Sequence, residues 1–149
     1  MNPDTKIKGV KNVEKEDFLY KELTHSILNA AFDVHNNLGC GFLEKVYENA
    51  LLEEFRIRKL PFENQKNFEI TYKGKIVGNY TPDIAVAGKV IVEVKACERI
   101  EKVHEAQLIN YLKATGYEVG LILNFAQTKL EYKRMALSRR TRDMCSLHD

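Results

Sequence analysis

From Leu23 the apolar positions Leu23, Ile27, Ala30, Ala31, Val34 and Leu38 recur at helical spacing, and Gly39 with Gly41 closes that run. A second stripe, Val46, Tyr47, Ala50, Leu51 and Phe55, predicts a helix over about 43–59, stopped by Pro61. The period then shortens. Strand-like segments at 68–72 and 76–80 flank Lys73-Gly74-Lys75, a tight-turn sequence. Two short apolar strands follow around Ala87-Gly88-Lys89. A third helix is expected over 103–114, broken by Gly116. Residues 119–125 are apolar without alternation, as in a strand buried on both faces, and 130–135 reads as a last edge strand. Residues 1–20 are polar and aperiodic and read as a loose arm. The order of two helices, four strands, a helix and two strands describes one mixed sheet flanked by helices, an α/β or α+β sandwich.

At 149 residues the chain is expected to form one domain with a real core, and 44% apolar and 30% charged residues are ordinary for a soluble protein. No apolar run approaches the roughly 18 residues of a membrane span. The charged stretch from Met1 to Lys21 holds no signal-peptide core, so the cytoplasm is the expected compartment. Cys40, Cys97 and Cys145 are odd in number, far apart and without zinc-ligand spacing, which points to buried or idle thiols. The net charge of +2 does not announce a polyanion partner. Its distribution adds something: Lys129, Lys133, Arg134, Arg139, Arg140 and Arg142 make the last stretch basic. That stretch can track phosphates or simply be a solvated tail.

Candidate chemistry centres on Asp83, Glu93 and Lys95. If the hairpin is symmetric about Gly88, Asp83 lies opposite Glu93, with side chains on one face and Cα atoms roughly 5 Å apart. Lys95, two residues on, shares that face. Like charges so placed repel, and a divalent cation is their natural partner. A solvent-facing pair bonded to neighbouring lysines is the plain alternative; the aliphatic Ile84, Val86, Ile91, Val92 and Val94 argue for a central, buried hairpin instead. Gln107 and Tyr111, four apart, share a helix face and can orient a water or reach a phosphate, or be an exposed amide beside a half-buried ring. Glu44 complements a helix start or completes a metal site through water. Tyr47 fits a core-facing aromatic. His25, His35 and His104 read as packing or surface residues. No Gly-rich phosphate loop is present, which argues against a nucleoside-triphosphate enzyme.

In order, Gly41, Glu44 and Tyr47, then Pro82-Asp83, then Glu93-Val94-Lys95, then Gln107 and Tyr111 resemble the GxxExxY proteins of the PD-(D/E)xK nuclease superfamily. The last pair also resembles the Q-x-x-x-Y helix motif of RecB-type nucleases. The resemblance runs from about Leu23 to Met135. It implies a restriction-endonuclease-like core in a domain spanning 21–136, between the charged arm of 1–20 and the basic tail of 137–149. It also implies dependence on Mg²⁺ or Mn²⁺ and a nucleic-acid substrate, DNA before RNA, with a homodimer or larger complex open. By the same resemblance Asp83, Glu93, the Val94 carbonyl and Glu44 would hold the metal, and Lys95 and Gln107 would complete the catalytic set. Tyr111, Tyr47, Lys133 and Arg134 would contact substrate. A non-catalytic binding or interaction module on the same fold is the rival reading, and a metal-dependent enzyme acting on another substrate is a third.

Overall fold

The computed structural model describes the backbone of residues 3–137 and the side chains of residues 20–137. The first apolar stripe lies on helix α1 (Pro3–Leu38), which buries Ile27, Ala30, Ala31 and Val34. Gly39 ends it in the left-handed region at φ 70°, where its N–H donates to the His35 carbonyl at 2.8 Å. Residues 3–20, expected as a loose arm, instead continue this helix. Once a long apolar stripe has nucleated a helix, a lysine- and glutamate-rich extension with one glycine propagates it at little cost. Helix α2 (Glu44–Ile57) buries Tyr47, Glu48, Leu51 and Phe55.

Seven strands follow among the described residues: β1 (Phe62–Asn64), β2 (Phe68–Tyr72), β3 (Lys75–Tyr80), β4 (Ile84–Val86), β5 (Val90–Lys95), β6 (Val119–Asn124) and β7 (Glu131–Ala136). Helix α3 (Lys102–Thr115) crosses from β5 to β6 and closes on Gly116, left-handed at φ 80°. The main sheet has the order β1-β4-β5-β6-β7, with β5 and β6 parallel and every other pair antiparallel. β6 is buried along its whole length and β7 is an edge, as the apolar pattern predicts.

Two features depart from the expected order. β1 is an additional strand, only three residues long and with the polar Glu63 and Asn64, too short for a period to show. β2 and β3 form a separate two-stranded ribbon rather than joining the sheet. The ribbon is nevertheless the outer half of one long hairpin. Phe62↔Val86 to Asn64↔Ile84 in the sheet and Phe68↔Tyr80 to Ile70↔Gly78 in the ribbon keep a single register. Only residues 65–67 and 81–83 lie between the two ladders, and there the hairpin bends.

The sheet is covered on both sides. α1 and α2 pack on Ile84, Val86, Val90, Val92, Val94, Leu121 and Leu123, while α3 packs Leu108 and Leu112 on Ile91, Ile122 and Tyr80. Contact on the α3 side is close at Gly120, where a Cβ would stand 2.9 Å from both Leu108 methyl carbons. Leu108 is 1% exposed and has no room to yield. Gly120→Ala is therefore expected to cost about 1–3 kcal/mol by overpacking. Urea denaturation checks this, and in a double-mutant cycle Gly120→Ala should cost less on a Leu108→Ala background than in the parent chain.

Candidate active site

The bend in the long hairpin creates the site. Gln65 turns the chain with φ 56°, its N–H donates to the Asp83 carbonyl at 3.2 Å, and the Asn64 side-chain amide donates to the same oxygen at 3.0 Å. Past Ile84↔Val92 the outgoing chain leaves β5, while β5 itself runs on beside β6 to Lys95↔Asn124. The edge of Val94 that faces away from β6 has therefore lost its strand partner. Asp83 takes it: Oδ2 accepts the Val94 N–H at 2.8 Å. The Val94 carbonyl points from the same edge, because the N–H and C=O of one strand residue share a side.

Asp83 does sit opposite Glu93 in register, one step beyond the last ladder pair. Its side chain, however, wraps around the β5 edge, so the two carboxylates line adjoining depressions rather than one face. Glu93 and Lys95 open into a depression of about 240 Å³ walled by Tyr80, Thr81, His104, Gln107 and Tyr111. Gln107 and Tyr111 lie on one side of α3, as their spacing predicts. Tyr80 donates its hydroxyl to Glu93 Oε1 and stacks on Tyr111 with ring centroids 3.6 Å apart. Burial pushes the Glu93 carboxyl up to about 7; the Tyr80 hydrogen bond opposes this, the Asp83 charge adds to it, and Lys95 works against it. Burial, then the Glu93 charge, raises the Tyr80 phenol well above its ordinary value, so it remains a donor.

The second depression, about 530 Å³, is lined by Leu43, Glu44, Lys45, Glu48, Gln65, Asp83, Val94 and Ala96. Glu44, in the first turn of α2, accepts the Ala96 N–H at 3.3 Å. Burial raises the Asp83 carboxyl; the Val94 N–H opposes it, the Glu48 and Glu44 charges add to it, and Lys95 opposes it. Glu48 is only 4% exposed. Its Oε1 accepts from the Gln65 amide at 2.7 Å and the Asn64 amide at 3.2 Å, and its Oε2 pairs with Lys45 at 2.8 Å. Glu48 thus fastens the two residues that clamp the Asp83 carbonyl. Sequence reasoning passed over Glu48, Asn64, Gln65 and Tyr80. For Glu48 there was a signal, since it shares a helix face with Glu44 four residues earlier. For Gln65 there was none.

Other expected residues lie elsewhere. Tyr47 does not reach either depression: it is wholly buried, stacks on Phe125 at 4.6 Å, and donates to the Gly39 carbonyl at 2.6 Å while accepting the Phe42 N–H at 3.2 Å. The aromatic is held there by the core, which corrects its assignment to substrate. Lys133 lies in the row Glu93, Ile122, Lys133 across the sheet and pairs with Glu105 of α3 at 3.4 Å. Arg134 pairs with Leu121, a residue of the α1 and α2 core, and so belongs to the opposite face from Glu93. His35 is buried and bonds the Gln127 carbonyl at 2.8 Å, while His104 caps α3 through the Glu101 N–H. Cys40 and Cys97 are free thiols. Cys145 and the basic residues Arg139, Arg140 and Arg142 lie outside the described residues. Among those described, no helix is long and apolar enough to cross a membrane.

Among the described residues no three His, Cys, Asp or Glu side chains converge as a ready-made cage. A hard, hydrated divalent ion does not need one, because magnesium keeps several waters and takes one or two carboxylates. Asp83 and Glu93 stand opposite one another in register, and the Val94 carbonyl opens from the strand edge that Asp83 caps. Glu44 and Glu48 add negative charge from the second depression. Burial is the first cause that raises both central carboxyls, a cation beside them would oppose it, and this donor set suits such an ion.

A family model described as the PD-(D/E)XK nuclease superfamily matches residues 21–135. Among solved structures the chain is similar to SSO0001, with a TM-score of 0.50 and 16% identity over 69% of this chain and 55% of that one. That likeness is one of fold: a mixed sheet flanked by helices, consistent with the restriction-endonuclease-like type. It also aligns with an alkaline exonuclease (LHK-Exo) from Laribacter hongkongensis, with a TM-score of 0.43 and 10% identity over 70% of this chain and 61% of that one. The chain spans less than two thirds of the length of either. No curated protein matches it.

Two outcomes follow from this geometry. The raised Glu93 carboxyl contributes stability that is complete below about 4.5 and is lost as pH rises through about 7. Metal-free protein should therefore lose on the order of 2 kcal/mol across that window, and Glu93→Gln should flatten most of the slope in denaturation curves run against pH. Glu48→Ala removes the carboxylate that accepts from Asn64 and Gln65 and pairs with Lys45, and should cost about 1–3 kcal/mol, against less than about 1 kcal/mol for the exposed Glu44→Ala. Urea denaturation of the two variants side by side tests the ranking.

Proposed function

The chain belongs to the PD-(D/E)XK nuclease superfamily, and on that premise we propose that it is a metal-dependent nuclease hydrolysing phosphodiester bonds, in DNA before RNA. The observation that carries this reading is the bend. It sets Asp83, the Val94 backbone, Glu93 and Lys95 side by side where β4 leaves β5. The order of Gly41, Glu44 and Tyr47 supports the finer placement among the GxxExxY proteins. The working unit in this reading is residues 21–136, acting in the cytoplasm, alone or as a homodimer or part of a larger complex.

Asp83, Glu93 and the Val94 carbonyl would hold Mg²⁺ or Mn²⁺, with Glu44 reaching the hydrated ion through water. Bound there, the ion supplies Lewis-acid polarisation of the phosphate and a water of lowered pKa. The remaining work belongs to the protein. Lys95 sets a positive charge on the Glu93 side of the site, where negative charge builds on the phosphate oxygens in the transition state. The Val94 N–H fixes one Asp83 oxygen and the Tyr80 hydroxyl fixes one Glu93 oxygen, which orients both carboxylates. The Gln107 amide orients water within hydrogen-bond reach of this wall. Tyr111, stacked on Tyr80, presents its hydroxyl toward a flanking phosphate.

Purified protein should cleave labelled DNA with Mg²⁺ or Mn²⁺ and not with EDTA. Glu93→Ala and Lys95→Ala should each lower the rate by about a hundredfold or more with an unchanged circular-dichroism spectrum. Single- and double-stranded DNA and RNA run in parallel name the substrate. A Lys95→Ala protein as fast as the parent would sink the assignment, and binding without cleavage on every substrate would favour a non-catalytic module.

A further inference from the structure

The β2–β3 ribbon leaves the sheet at the bend that holds Asp83. Its inner part is anchored: Ile70 packs in the α3 cluster, and Phe68 meets Tyr117 edge-on at 5.6 Å. Its outer part is exposed and is unlike an ordinary solvated hairpin. Tyr72 is 63% exposed, Ile76 53% and Val77 60%. Lys73 and Gly74, both left-handed, close a two-residue turn that places Lys75 directly opposite Tyr72 on one face. Lys73 holds its ammonium 5.4 Å from the centre of the Tyr72 ring. Neither Lys73 nor Lys75 takes part in any of the salt bridges among the described residues. An exposed aromatic ring beside two free ammonium groups is the pairing that meets a base by stacking and its phosphates by charge.

The ribbon is also in the right place. β3 runs through Thr81 and Pro82 directly into Asp83, so the tip lies at most roughly 25 Å along the strand from that carboxylate. This corresponds to at most about seven nucleotides, the count at duplex spacing, and to fewer for an extended single strand. The exposed Tyr72 ring, backed by exposed apolar side chains at Ile76 and Val77 on the two sides of β3, suits unpaired bases better than a continuous phosphate backbone. Resting on the nucleic-acid reading of the site, we infer that the ribbon tip, Tyr72, Lys73 and Lys75, binds a single-stranded segment flanking the bond held at Asp83 and Glu93. It sets how far from the reacting phosphate the substrate must extend.

The test is binding, read apart from cleavage. Fluorescence anisotropy in EDTA would compare the intact chain with Tyr72→Ala/Lys73→Ala/Lys75→Ala on oligothymidylates of about 3 and about 24 nucleotides over a salt series, the first too short to run from the site to the tip and the second long enough. The variant should bind the longer strand about tenfold or more weaker, with a salt slope shallower by about 1.4 for two lost phosphate contacts. The variant should lose less affinity for the short strand than for the long one, and matching melting curves would exclude misfolding. Equal affinity and slope on the long strand would overturn the inference, as would failure of the parent chain to bind it. Sedimentation supplies the rival outcome: a parent dimer that the variant loses, with DNA binding unchanged, makes the tip a self-association surface and also overturns it. Ribbon-dependent binding without cleavage would count against the nuclease reading alone. Cleavage with a dispensable ribbon would count against this inference alone.

Discussion

Everything chemical in this protein depends on a hairpin that bends before its neighbour ends. β4 stops pairing with β5 at Ile84↔Val92, yet β5 continues to Lys95 because the parallel β6 still supports its other edge. A buried strand edge cannot be left unpaired without cost, and Asp83 supplies the missing acceptor with a carboxylate oxygen. One constraint thus fixes the position of Asp83, exposes the Val94 backbone, and ends the hairpin beside Glu93. The bend itself is held by Asn64 and Gln65 on the Asp83 carbonyl, and those two amides are held by Glu48.

The layers on either side of the sheet divide the labour. The α1 and α2 layer takes the apolar side of β5, through Val90, Val92 and Val94, and presents Glu44 and Glu48 from one face of α2 at the sheet's edge. The α3 layer covers Ile91, but beyond it leaves Glu93 and Lys95 facing a depression instead of a core. Alternation along a single six-residue strand therefore builds the hydrophobic core and the candidate site at once. Gly120 permits this by letting Leu108 approach β6 closely, which brings α3, with Gln107 and Tyr111, over the site.

The electrostatics follow from the same packing. Glu93 is raised because it lies between the sheet and α3, where a charged carboxylate loses most of its water. Asp83 is raised by burial and by the two glutamates of α2, with Lys95 as the opposing cation. Such a site is less stable without a cation than its hydrogen bonds alone suggest. Strain of this kind is common where folding and chemistry ask different things of the same residues.

The helical stripe from Ile27 to Val34, the glycine stops at Gly39 and Gly116, the register about Gly88 and the buried run of β6 were all determined locally. Each follows from residue period or backbone freedom within a few positions, whereas Asp83, Glu93, Lys95, Gln107 and Tyr111 were joined as one set by the resemblance of the ordered motif residues to a nuclease superfamily. Tertiary structure decided the rest, because the deciding partners are distant in the chain. β1 exists only because β4 offers it an edge. The extension of α1 through residues 3–20 carries only a sparse apolar spacing, Ile7, Val10, Val13 and Phe18, among charged residues. Tyr47 belongs to the core because Phe125, 78 positions later, stacks on it. Glu48 matters because a bend at Gln65 turns two amides toward it, and Asp83 and Glu93 line adjoining depressions because β4 leaves β5 one residue before their level. Periodicity reports which way a side chain faces along its own strand or helix; only packing determines what stands opposite.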